Sequence, residues 1–82
     1  MEWSEYTLEM LTPVYDYTRL AWYCSGKLTK DIGNGWSEDK AVCSFFVGEE
    51  WAEERGMTPA ELGEELIRKQ IENPEWQRLW LL

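Results

Sequence analysis

Ala41-Val42-Cys43-Ser44-Phe45-Phe46-Val47 is the stretch whose conformation decides the fold. Its valines, cysteine and phenylalanines suit a pleated, half-buried strand. Its flanks suit a helix. Ser37 can cap a helix opening with Glu38 and Asp39, acids that complement the positive end of a helix dipole. Gly56 can close that helix with a left-handed residue. A run this short is not resolved by periodicity. The caps favour a helix from Glu38 to Gly56, with Ala41, Phe45, Gly48, Trp51 and Ala52 on one face. The expected fold is therefore all-α, a compact bundle of four or five short helices. The strand alternative gives an α+β fold, with a small sheet from residues 15–24 and 41–47 ahead of C-terminal helices.

Immediately downstream, Glu49-Glu50-Trp51-Ala52-Glu53-Glu54 concentrates four carboxylates. On a helix, Glu49 faces Glu53 and Glu50 faces Glu54, and each like-charge pair costs roughly 0.2–0.5 kcal/mol. The run spans about 7.5 Å of helical rise, or roughly one charge per 2 Å. Duplex DNA carries one per ~1.7 Å. Such an edge can imitate a phosphate backbone to a basic nucleic-acid-binding site. The ordinary alternative is a solvated face answered by distant bases. If 41–47 is a strand, the run opens a helix instead, and its first carboxylates sit favourably on the dipole.

Three further signals punctuate the chain. Thr12-Pro13, Thr58-Pro59 and Asn73-Pro74 each set a capping residue before a proline suited to the first helical position. Thr58 with Glu61 completes a capping box, and Met57 with Leu62 suits a hydrophobic staple. A helix from Pro59 to about Glu72 follows, with Leu62, Leu66, Ile67, Gln70 and Ile71 inward. Glu64–Arg68 and Glu65–Lys69 pair along its outer side. Pro74 to Leu82 forms a short helix with Trp76, Leu79 and Trp80 on one side. Pro13 to Ser25 reads as a helix closed by Gly26, and Ser4 to Leu11 as a shorter one before it. Lys27 to Trp36, with Gly33-Asn34-Gly35, reads as a loop. Asp31 to Trp36 lacks oxygen ligands where a calcium loop needs them, so it reads as a turn.

Length and composition bound the function. The chain has 82 residues, which sets one domain, 1–82. Net charge is −8, from 16 acids against 8 bases. That excludes direct binding to nucleic acid or an anionic membrane and favours a basic partner. With no histidine, Ser–His and Cys–His nucleophile systems and histidine-ligated metals are excluded. The two cysteines, Cys24 and Cys43, cannot complete a four-ligand zinc site, and no secretory signal opens the chain. The expectation is a cytoplasmic protein without catalytic residues, metal or cofactor.

These observations point to a non-enzymatic acidic protein-binding module. Its sharpest form is an inhibitor that fills the basic nucleic-acid-binding site of a protein or complex, in the manner of anti-restriction or anti-CRISPR proteins by general character only. The candidate contacts are Glu49, Glu50, Glu53 and Glu54, supported by Asp39, Glu61 and Glu64. The alternative is a structural or assembly subunit that associates, with a partner or with itself, through Trp76, Leu79 and Trp80, because tryptophan is enriched at interface hot spots.

Overall fold

The computed structural model of the chain describes residues 6–81 and places 41–47 in a strand. In chain order the elements are β1 (Tyr6–Met10), β2 (Val14–Asp16), β3 (Ala21–Gly33), β4 (Trp36–Val47), α1 (Glu49–Glu54), α2 (Pro59–Ile71) and α3 (Pro74–Trp80). The expected all-α bundle is overturned by this antiparallel sheet, and the α+β alternative is the correct class. Trp3, Leu82 and the first two residues of the expected Ser4–Leu11 helix lie outside the described residues. The remainder of that helix is β1.

A hairpin organises the sheet. Asn34 and Gly35 turn the chain with φ of 55° and 77°, the two positive values of a type I′ turn, whose twist matches the strands it joins. From there β3 and β4 pair antiparallel, Gly33 with Trp36 through to Trp22 with Val47. The expected Lys27–Trp36 loop is thus mostly strand. Leu28 faces Ala41 whereas Thr29 faces Asp39, so Lys40 is an extra residue that bulges β4.

The other edge of β3 carries two strands in series, β1 opposite residues 26–30 and β2 opposite residues 21–23. Pro13 lies in the break between them. A proline cannot donate to the ladder and is confined to edges or interruptions. Here Thr12-Pro13 breaks an edge strand where a helix start was expected, and the expected Pro13–Ser25 helix is β2, a turn and the first part of β3. Tertiary pairing overrides the local cap.

The sheet is two-faced. Met10, Cys24, Leu28, Cys43, Phe45 and Val47 point toward the helices and join Leu62, Ile67, Ile71 and Trp76 in the core. Full burial of side chains such as Leu62 and Ile67 contributes about 1.5–3 kcal/mol each. The helix α2 lies unusually close to β3. A Cβ built on Gly63 would stand 2.5 Å from both Cβ and Sγ of Cys24, so only glycine permits the approach. A Cβ on Gly26 would also be crowded, by the side chains of Leu8, Met10 and Ile67 at 2.9–3.2 Å. On the opposite face Val14, Val42 and Phe46 remain exposed, and among the described residues no helix covers them.

The C-terminal helices follow their sequence signals. Thr58 caps α2 with the full capping box, accepting from the Glu61 amide while Glu61 accepts from the Thr58 amide. The Asn73 side chain accepts from the Glu75 amide at the start of α3. No described helix is long and apolar enough to cross a membrane.

Candidate protein-binding surface

The glutamate run opens a short helix rather than closing a long one. Gly48 precedes α1 in an extended conformation and offers no side-chain cap. Carboxylates at Glu49 and Glu50, in the first turn, offset the unsatisfied amides there. Glu49 also accepts a hydrogen bond from Trp22 Nε1 at 3.2 Å, which ties α1 to β3. Glu53 and Glu54 remain at the negative end of the helix. All four carboxylate residues are exposed.

Among the described residues, the ion pairs of six bases go to acids outside the run. Arg19 pairs with Asp16, Lys27 with Glu9 and Asp39, and Lys40 with Glu38. Arg68 and Lys69 pair with Glu64 and Glu65 along α2, as their spacing predicts. Even Arg55, next to the run, turns away to Glu65 at 3.2 Å. The carboxylates of Glu50, Glu53 and Glu54 make no hydrogen bond or ion pair with any described residue. The result is an exposed carboxylate edge on α1 that no base among the described residues pairs with.

The expected supporting acids are each engaged by a partner within the fold. Asp39 faces Thr29 near the hairpin end, roughly 26 Å from the end of β4 at ~3.3 Å per residue, and lies 3.8 Å from Lys27. Glu61 serves the capping box, and the Thr58 amide and hydroxyl hold its carboxyl below the ordinary range. Glu64 pairs with Arg68. Each has a structural partner of its own.

The tryptophan-rich end divides. Trp76 is 8% exposed and belongs to the core, whereas Leu79 and Trp80 are 77% and 62% exposed. Gln77 Nε2 donates to the Ile71 carbonyl and fixes the α2–α3 corner, so α3 is anchored and still presents two large apolar side chains. Both cysteines are buried and unpaired, and burial pushes both thiols up.

A further surface escapes sequence reading. The uncovered sheet face gathers Val14, Tyr23 and Phe46, with Tyr17 from the following turn, around an open hollow of about 700 Å³, with Asp16 and Ser44 in its wall. Alternation within 41–47, with Val42, Ser44 and Phe46 on one side, is the signal that reveals this face once a strand is assumed. Tyr15, opposite Trp22 on the helix side of the sheet, makes edge contacts with Trp22 and with Tyr17. No family model matches the chain, and neither does any curated protein or solved structure compared with it.

Proposed function

We propose that the protein is a non-enzymatic, cytoplasmic binding module that presents the α1 carboxylate edge to a basic partner. The observation that carries this reading is the allocation of bases. Among the described residues, Arg19, Lys27, Lys40, Arg68 and Lys69 pair with other acids, and Arg55 passes over the adjacent run in favour of Glu65. A charge left unanswered inside the molecule is available to a ligand outside it, where complementary potential accelerates and orients docking. The density of carboxylates on α1 suits a surface that otherwise receives phosphates, which makes a nucleic-acid-binding protein the partner class and occupation of its binding site the mode of action. The unpaired cysteines are in keeping with a reducing compartment.

The test is capture of basic nucleic-acid-binding proteins from the host on the immobilised chain, with duplex DNA as competitor. The expected result is a partner displaced by DNA and by salt, and not retained when Glu49, Glu50, Glu53 and Glu54 are all changed to Gln. Equal retention by the four-glutamine variant contradicts the reading.

The exposure of Leu79 and Trp80 favours a second reading, an assembly subunit that associates through the end of α3. It predicts salt-tolerant association, lost on Trp80→Ala.

A further inference from the structure

The turn joining β2 to β3 holds an arginine over an aromatic surface. Asp16 organises that turn. Its Oδ1 accepts from the Thr18 amide at 2.9 Å, from the Thr18 hydroxyl and from the Arg19 amide at 3.2 Å. Its Oδ2 accepts from Arg19 Nη1 at 2.8 Å. The Arg19 guanidinium carbon stands 4.6 Å from the centre of the Phe46 ring, and Phe46 in turn lies against Tyr23 at 5.1 Å between ring centres. A carboxylate and an aromatic face thus converge on one guanidinium, at the rim of the hollow on the uncovered sheet face.

We propose that this hollow is a docking site for an arginine-bearing segment of a basic partner, and that the partner's guanidinium takes the place now held by Arg19. The proposal rests on the reading of the protein as a binder of a basic partner and names where one side chain of that partner goes. Three observations on this face support it. The chain's own Arg19 sets a planar cation against Phe46 and Asp16 together. The Arg19 side chain is 60% exposed, so its ion pair is of the weak surface kind that a competitor can displace. The hollow is larger than one side chain and sits in the usual range for ligand sites, leaving room for residues that flank the arginine.

The turn itself is built at a cost. Leu20 adopts a left-handed conformation at φ 52°, unfavourable for a leucine. Its side chain is 70% exposed, and Tyr17 beside the hollow is 81% exposed. Charge decides among occupants. A second copy of this chain brings a net charge of −8 and is repelled, as is a nucleic acid. Arginine is preferred to lysine because its planar fork matches a carboxylate and stacks on a ring at once.

The experiment is an NMR titration of the ¹⁵N-labelled full chain with the blocked peptide Ac-Leu-Arg-Leu-NH2, and with its lysine and citrulline counterparts. The arginine peptide is expected to shift Tyr17, Tyr23, Ser44 and Phe46 amides, with the citrulline peptide about tenfold weaker, the loss of a charge-assisted contact with an aromatic face. Arg19→Ala removes the internal competitor and tightens binding by about two- to fivefold. Asp16→Asn keeps the turn-capping oxygen, and Phe46→Leu keeps the apolar bulk; both weaken binding, and the spectrum of each variant reports its fold directly. Equal binding of arginine and citrulline peptides overturns the proposal, as does weaker binding by Arg19→Ala. Binding that survives Asp16→Asn and Phe46→Leu but vanishes in the four-glutamine variant assigns the arginine to α1 and overturns the pocket alone. Binding that survives in all of these variants overturns both.

Discussion

Gly63→Ala should destabilise the protein, although alanine is ordinarily the better helix former. In an exposed helix interior the exchange stabilises by about 1 kcal/mol. At Gly63 the new methyl would meet two atoms of Cys24, Cβ and Sγ, each at 2.5 Å. Carbon atoms prefer roughly 3.5–4.0 Å, so α2 must lift from β3 or the strand must shift. Overpacking of this kind costs about 1–3 kcal/mol, occasionally more. Two close contacts against strand β3 place Gly63 at the top of that range. Subtracting the propensity gain leaves a net loss of about 2 kcal/mol. For a domain of this size that lowers the melting temperature by roughly 8–16 °C. The assay is thermal and urea unfolding of Gly63→Ala, Cys24→Gly and the double variant. Cys24→Gly removes both clashing atoms, so the double variant should lose less stability than the sum of the single changes, with a coupling of about 1–3 kcal/mol. A more stable Gly63→Ala, or strict additivity, refutes the close packing of α2 on β3.

Leu20→Gly should raise stability by about 1 kcal/mol through relief of the left-handed backbone, read as a higher melting temperature; a decrease would mean the exposed leucine packs in solution. Asp16 has its carboxyl held down to about 2 by hydrogen bonds from the Thr18 side chain and then Arg19. Its folded value lies below the unfolded one of about 3.9, so its contribution is complete above pH ~4 and disappears as pH falls through about 2. NMR titration of the Asp16 carboxyl should give that low midpoint, and Asp16→Asn should flatten the acid limb of stability in the same window. Cys24 and Cys43, buried with raised thiol pKa values, should both resist a thiol-specific disulfide reagent in the native state and react together on unfolding; rapid labelling of the folded chain would contradict their burial.

The legibility of the fold follows the range of its causes. Helices α2 and α3 were readable because their starts are written in adjacent residues, Thr58-Pro59 with Glu61 and Asn73-Pro74. The sheet depends on pairing between residues far apart in sequence, and there local signals misled. Ser37 looks like a cap yet lies in β4, and Pro13 breaks an edge where it seemed to open a helix. Gly56 does terminate a helix, with φ of 66°, but that helix begins at Glu49 and not at Glu38. One local signal does point to the sheet: Asn34-Gly35, the residue pair most suited to a two-residue hairpin turn, sits between Gly33 and Trp36, which pair as its first rung. The glutamate run was legible as an exposed acidic cluster. Its strain is smaller than on a helix running from Glu38, because Glu49 and Glu50 meet the favourable end of α1. Asp39, Glu61 and Glu64 could not be separated from it without knowing that Lys27, Thr58 and Arg68 engage them. The aromatic hollow around Phe46 exists only through the sheet and was beyond local reading.

The most direct test of the acidic edge is the affinity of the chain and of its four-glutamine variant, at positions 49, 50, 53 and 54, for the basic partner captured from the host, measured across a range of salt concentrations. The expected result is wild-type binding that falls steeply as salt rises and no measurable binding by the variant. The variant should also unfold within about 0.5 kcal/mol of the wild type, since the lost like-charge repulsion and the lost dipole interaction nearly cancel. Binding of undiminished strength by a folded variant, or wild-type binding indifferent to salt, would contradict the account.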